Sequence, residues 1–132
     1  RRRREAVFAR TTLTAVAHSF DPGAGVPGLP DWECVPTPGH TSGHVSFFRP
    51  QDRVLLSGDA LVTTKIDTVM NLLRGCEGLS RPPWYTTWDR TRATASIRNL
   101  AALMPTVVAG GHGMPLTGAD TAATVQAYAR SQ

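Results

Sequence analysis

The chain has 132 residues, of which 41% are hydrophobic and 18% are charged. This length suits one domain with its own core, and the composition excludes a disordered chain. No stretch approaches the roughly 18 apolar residues of a membrane helix, so we expect no membrane association.

The net charge of +4 is concentrated at the N-terminus. Residues 1–10 contain five arginines and one glutamate, whereas residues 11–132 contain nine basic and nine acidic side chains. The sequence therefore predicts a basic arm over 1–10, acting as a solvated tail or linker, and a neutral domain over 11–132. Nucleic-acid binding through Arg1–Arg4 is an alternative that the neutral domain disfavours.

Hydrophobic periodicity predicts strands in the first half of the chain and helices in the second. A proline- and glycine-rich loop over 21–31 separates the first two strands. The predicted elements are strands over 12–20, 32–37, 44–48 and 53–57, a helix over 87–104, a strand over 106–109, a loop over 110–118 and a helix over 119–130. Thr87 or Asp89 can cap the first helix, and Pro105 ends it. These elements indicate an α/β layered domain.

The strands over 44–48 and 53–57 are separated by a loop short enough for an antiparallel hairpin. Pairing Phe48 with Arg53 would place His44 opposite Ser57. The loop that carries His40 would then leave the sheet at the edge where Asp59 follows the next strand.

Three potential metal ligands are expected at this edge of the sheet. One precedes a predicted strand, and the other two follow predicted strands. His40 lies in TPGHTSGH, Asp59 lies in SGDA, and His112 lies in GGHG after the strand over 106–109. Flanking glycines let backbone and ligand approach closely. Imidazoles and a carboxylate are ligands for zinc or iron, so the sequence predicts a metal site from His40, Asp59 and His112.

The motifs TPGHTSGH, LLSGDAL and VVAGGHGMPL, in this order, resemble the later metal motifs of metallo-β-lactamase-fold hydrolases, including glyoxalase II-like thioesterases. The resemblance covers Trp32 to Gln132 and implies one β-plus-α half of an αββα sandwich. It implies that His40 binds a first metal, that His112 binds a second, and that Asp59 bridges both and orients the attacking hydroxide. His44 matches a position that is not a ligand, for which packing or support of the ligands is expected.

The first metal motif of that family, His-x-His-x-Asp-His, does not occur in the chain. His18 is the only histidine before His40, and its surroundings do not match. Each metal would therefore have at most two protein ligands here, one of them shared, whereas a catalytic zinc normally needs three. Together with the absence of an initiator methionine, this suggests the C-terminal half of a longer protein.

The resemblance implies a metal-dependent hydrolase of a small-molecule substrate, with zinc as the expected metal and iron as the alternative. The competing interpretation is a non-catalytic, truncated module that assembles through an exposed sheet face. Apolar residues on both faces of the strands over 44–48 and 53–57 predict either a homodimer or a missing N-terminal half as the cover.

Two smaller expectations complete the sequence analysis. Cys34 and Cys76 have no CxxC spacing, so we expect free buried thiols and a cytoplasmic protein. Trp84, Tyr85 and Trp88 precede the first helix, where packing in the core or at the helix cap is expected and a substrate-pocket wall is the alternative.

Overall fold

The computed structural model describes residues 18–66, 70 and 76–132. Its strands are β1 (Glu33–Pro36), β2 (Val45–Arg49), β3 (Val54–Gly58), β4 (Val62–Thr64), β5 (Glu77–Ser80), β6 (Val107–Gly110) and β7 (Leu116–Thr117). Its helices are α1 (Arg90–Ala102) and α2 (Thr121–Arg130), with single 3₁₀ turns at Pro22–Ala24 and Trp84–Thr86. The predicted α/β class is confirmed. The arm over 1–10 and most of the strand over 12–20 lie outside the described residues.

Five strands form one mixed sheet in the order β1-β2-β3-β6-β7. All neighbours are antiparallel except β3 and β6, which are parallel. A parallel pair requires a crossover connection, and α1 lies in the segment that joins β3 to β6. The strands β4 and β5 form a separate antiparallel pair within that same segment.

The β2–β3 hairpin is confirmed, but its predicted register is wrong by two residues. Phe48 pairs with Leu55, and Arg49 pairs with Val54. Arg53 belongs to the turn because its φ of 56° is a left-handed conformation that does not continue a strand. The Arg49 guanidinium closes this turn through two hydrogen bonds of 2.9 and 2.7 Å to the Asp52 carboxylate.

One face of the sheet carries the hydrophobic core. Phe48, Leu55 and Val108 lie side by side on β2, β3 and β6, and all three are buried. They pack with residues of both helices, namely Ile97, Leu100 and Ala101 from α1 and Val125 and Ala129 from α2. Both helices therefore cover the same face of the sheet, as the periodicity of their sequences requires.

The opposite face carries an apolar row that crosses four strands. Cys34 pairs with Phe47, Phe47 with Leu56, and Leu56 with Ala109. Side chains alternate between faces along a strand, so this row points away from the buried residues Phe48 and Leu55. Leu56 is 37% exposed. We call these four residues the open row.

The helix α1 begins later and ends earlier than the sequence indicated. Asp89 is its N-cap, with the carboxylate accepting a 3.0 Å hydrogen bond from the Arg92 N–H, so Thr87 is not the cap. The helix ends at Ala102, and Met104 has a left-handed φ of 52° before Pro105. The predicted strand over 106–109 and the predicted final helix are confirmed as β6 and α2.

Three short strands escaped the sequence analysis. β4 and β5 have three and four residues, and β7 has two. β4 and β7 offer too few alternations for a period of two to be recognised, and β5, with the sequence EGLS, contains only one large apolar side chain. Both cysteines are unpaired, as expected, but they are half-buried rather than buried. Among the described residues, no helix is long and apolar enough to cross a membrane.

We expect Leu100→Ala to lower the free energy of unfolding by about 2–5 kcal/mol, because Leu100 is fully buried between the helices and the sheet. The matched control is Leu29→Ala, at a site that is 47% exposed, where less than about 1 kcal/mol is expected. Urea denaturation of both variants measures the difference. Equal losses would mean that the helices do not cover this face.

Candidate metal centre

His40 lies on a loop that α1 holds against the sheet. The Gly39 carbonyl accepts a 2.9 Å hydrogen bond from the Asp89 N–H, and the His40 carbonyl accepts one of 3.2 Å from the Trp88 N–H. Gly39 has a φ of 146°, and an added Cβ there would overlap the backbone of Ala93. The close approach of loop and helix therefore requires glycine at this position.

Asp59 and His112 leave the sheet from the adjacent parallel strands β3 and β6. The two loops are joined by a 2.8 Å hydrogen bond from the Gly111 N–H to the Gly58 carbonyl. The His112 carbonyl accepts hydrogen bonds of 3.1 Å from both the backbone N–H and the hydroxyl of Thr63. A Cβ at Gly111 would overlap the Asp59 carboxylate, so this glycine leaves room for the acid.

The structure brings together the three side chains that the sequence singled out. His40 Nε2 lies 3.5 Å from Asp59 Oδ2, and His112 Nε2 lies 3.7 Å from Asp59 Oδ1. Each carboxylate oxygen thus faces a different imidazole. His40 Nδ1 is buried and has no hydrogen-bond partner within the described part of the chain.

These contacts are two pairs that share Asp59 rather than a closed ligand cluster. Within residues 18–66, 70 and 76–132, no group of three or more His, Cys, Asp or Glu side chains is arranged to hold a metal ion. Within the described residues, His40, Asp59 and His112 are therefore neighbours without enclosing a metal position.

A cleft of about 210 Å³ opens over the three side chains. Its remaining walls are largely apolar and come from segments that the sequence analysis did not assign to the site: Val62, Ile66, Pro82, Pro83 and Thr86. The only available signal was the Pro82–Pro83 pair, which marks a rigid, non-helical segment.

Two of the aromatic residues before α1, Tyr85 and Trp88, do not pack in the core. Tyr85 is 66% exposed and Trp88 is 59% exposed, so the expectation of core packing is wrong for both. Trp88 instead lies beside the first turn of α1, with the Arg92 guanidinium 5.5 Å from its ring centre. Neither aromatic residue lines the cleft over His40.

His44 supports the site through a chain of hydrogen bonds whose direction can be assigned. The Asp59 N–H donates to His44 Nε2 at 3.1 Å, so Nε2 must be the unprotonated nitrogen. His44 Nδ1–H then donates to the Thr37 hydroxyl at 2.8 Å, and Thr37 donates to the Ser46 hydroxyl at 3.0 Å. Ser46 donates to the Ser57 carbonyl at 3.1 Å. We call this chain the His44 relay.

The relay requires a neutral His44. Burial and the nearby charge of His40 lower the pKa of His44 below its ordinary value, although the Asp59 charge and a hydrogen bond with the Thr37 backbone act in the opposite direction. The imidazole is therefore uncharged at neutral pH and can accept from the Asp59 backbone. This result supports the expectation that His44 holds a ligand in position.

Residues 20–112 match the family model of the metallo-beta-lactamase superfamily. The chain belongs to this superfamily. The matched range includes His40, Asp59 and His112, and the mixed sheet with helices on one face agrees with the β-plus-α half that the resemblance implied. The roles of the three residues as ligands remain predictions.

Individual members of the superfamily show how much of the fold the chain represents. The probable metallo-hydrolase YflN of Bacillus subtilis is 39% identical over 114 residues, which are 85% of this chain and 43% of YflN. A hydroxyacylglutathione hydrolase of Cereibacter sphaeroides is 30% identical over 75% of this chain and 33% of that protein. The crystal structure of TTHA1623 in a di-iron-bound form matches 76% of this chain and 43% of its own, with 25% identity and a TM-score of 0.51. The chain thus spans less than half the length of each.

We expect His44→Ala to lower the free energy of unfolding by about 1–3 kcal/mol, because the Asp59 N–H and the Thr37 hydroxyl lose their partner in a partly buried site. Ser42→Ala, on the exposed part of the same loop, is the control and should have little effect. Amide hydrogen exchange by NMR should also show faster exchange at Asp59 in His44→Ala alone. Unchanged exchange at Asp59 would contradict the relay.

Proposed function

We propose that the chain is the C-terminal part of a metal-dependent hydrolase of the metallo-beta-lactamase superfamily. The observation that carries the proposal is the Asp59 carboxylate, whose two oxygens face two different imidazoles at 3.5 and 3.7 Å. A carboxylate in this arrangement can share its oxygens between two metal ions, with one histidine for each.

The ligand atoms offered by His40, Asp59 and His112 are of the types that zinc and iron prefer, but there are too few of them. Imidazole nitrogen and carboxylate oxygen are suitable ligands for both metals. Zinc is our proposal, and the di-iron form of TTHA1623 supports iron as the alternative. Each of the two metal positions would have one imidazole and the shared Asp59 carboxylate, whereas a catalytic zinc is normally held by three protein ligands.

The remaining ligands must therefore come from outside the described residues. We propose a segment equivalent to the part of YflN that this chain does not match, since the chain spans only 43% of YflN. A second copy of the chain is the alternative source. In either case the purified chain by itself is expected to bind metal weakly and to be inactive.

A bound metal ion would supply an activated water. This water would attack the carbon atom of a carbonyl group or the phosphorus atom of a phosphoryl group. His40, His112 and Asp59 would hold this ion. Asp59 presents both carboxylate oxygens at the mouth of the cleft, and the His44 relay fixes the backbone from which this carboxylate extends. Val62, Ile66 and Pro82 make part of the cleft wall apolar, which limits access of bulk water.

The substrate is proposed to be a small molecule. The cleft of about 210 Å³ accepts a compact reacting group, with the rest of the substrate outside it. The name of the hydroxyacylglutathione hydrolase supports a thioester among the candidates. Lactones, lactams and phosphodiesters remain alternatives, because one fold serves many reactions. The proposed cytoplasmic location depends on the two unpaired cysteines.

We expect the purified chain to bind zinc weakly in a calorimetric titration at neutral pH, because two-ligand sites lack the chelation of a closed site. His40→Ala and His112→Ala should each reduce this binding below detection. His44→Ala should weaken it by a smaller factor, because His44 acts through Asp59.

The control for this titration is His18→Ala, which alters an exposed histidine remote in sequence from the three ligands. It should leave zinc binding unchanged. Tight binding of one or two zinc ions per monomer would contradict the incomplete ligand set. An equal loss in His44→Ala and His40→Ala would contradict the ligand assignment.

The second candidate function is a non-catalytic module that assembles through the sheet. The observation that favours it is the open row, four apolar residues aligned across four strands on the face that neither helix covers. An uncovered apolar face of this kind marks an interface. We propose a homodimer with self-complementary contacts for the isolated chain.

Size-exclusion chromatography with light scattering should give twice the 14.2 kDa of one chain for the wild type. Leu56→Lys, in the open row, should give the monomer mass, because a lysine would lose its hydration in the interface. Leu29→Lys is the matched control outside the sheet and should leave the dimer intact. A wild-type monomer at high micromolar concentration that binds no hydrophobic dye would exclude this assembly.

A further inference from the structure

Three arginines line one cleft on the outer side of the helical layer. Arg90 and Arg98 lie two turns apart on α1, and Arg81 follows the end of β5. The cleft has a volume of about 390 Å³, and its other lining residues are Thr91, Thr94 and Ala95. No acidic side chain lines it. We call it the arginine cleft.

The charges in the arginine cleft are uncompensated. Among the described residues, Arg49 pairs with Asp52 and Arg92 pairs with Asp89, whereas no ion pair involves the three arginines of the cleft. Guanidinium groups remain charged at any physiological pH, so an anion in this cleft would meet only positively charged side chains and no carboxylate. Arg90 also occupies the first turn of α1, directly after the N-cap Asp89, where the helix dipole disfavours a cation.

We propose that the arginine cleft binds an organic phosphate through its phosphoryl group. Guanidinium forks match phosphate oxygens in paired, charge-assisted hydrogen bonds, and the Thr91 and Thr94 hydroxyls can donate to the same group. A phosphoryl group brings nearly two negative charges and three terminal oxygens. It can therefore accept hydrogen bonds from more than one guanidinium and carries more charge than a single carboxylate does.

A second cleft, of about 280 Å³, shares Arg98 with the first. Its other lining residues are Ala101, Ala102 and Ala129, together with Gln126 and Arg130. The three alanines can contact a short organic group attached to a phosphate that Arg98 binds. The adjoining clefts therefore favour a phosphate ester over inorganic phosphate.

Nucleic acid is the less suitable ligand. The described residues carry eight basic and eight acidic side chains, so a long polyanion would meet as many repulsive charges as attractive ones. The clefts are also separate from the open row, because α1 and α2 cover the other face of the sheet. A partner packed on the open row would leave the arginine cleft accessible.

The experiment is a calorimetric titration of the purified chain with phenyl phosphate and, separately, with inorganic phosphate. Phenyl phosphate should bind several-fold more tightly than inorganic phosphate, and its affinity should fall as salt rises. Arg90→Gln and Arg98→Gln should each weaken phenyl phosphate binding by roughly tenfold, the loss expected for a charge-assisted contact. Circular dichroism and thermal melting confirm that the variants fold.

Arg92→Gln is the matched control, since it removes one positive charge from the same helix outside the cleft. It should leave the affinity for phenyl phosphate unchanged. No binding at millimolar phenyl phosphate, or equal losses in all three variants, would overturn the proposal. Tighter binding of a single-stranded oligonucleotide than of phenyl phosphate, lost in Arg90→Gln and Arg98→Gln, would also overturn it in favour of nucleic acid.

Discussion

The parallel pairing of β3 with β6 is the constraint on which the candidate site depends. Parallel neighbours end at the same edge of the sheet, so the residues that follow them emerge side by side. Asp59 and His112 are separated by 53 positions in the chain, and this pairing brings their side chains to 3.7 Å. The hydrogen bond between Gly111 and Gly58 continues the pairing past the last regular strand residues and holds both loops.

The antiparallel hairpin places β2 on the other side of β3, and His44 directly precedes β2. Its register aligns His44 with the backbone of Asp59, and the His44 relay returns through Ser46 to the Ser57 carbonyl. Both backbone positions that flank Gly58 are thereby tied to β2. Because the relay has one possible proton arrangement, it specifies a single tautomer of His44 and a single orientation of its ring. Hydrogen bonds within the chain therefore fix the backbone from which the Asp59 carboxylate extends.

The open row and the arginine cleft expose different kinds of side chain, apolar in the first and positively charged in the second. Neither helix covers the open row within the described part of the chain, and another protein surface could pack on these apolar side chains. In the arginine cleft, between α1 and the residue that follows β5, three guanidinium groups have no acidic partners among the described residues, so an anion can bind there. Since the helices lie between the two surfaces, both could be occupied at once.

The sequence by itself determined the elements with long or clear periodicity and the three residues of the candidate site. Two strands of the hairpin, α1, β6 and α2 were predicted because their patterns persist over several residues, and His40, Asp59 and His112 were predicted from motif order. Tertiary structure decided the hairpin register, since the left-handed Arg53 moves the pairing by two residues and aligns His44 with Asp59. The short strands β4, β5 and β7 and the arginine cleft could also be recognised only in the tertiary structure. Their residues are distant in sequence or too few for a period, so only the packed chain brings them together.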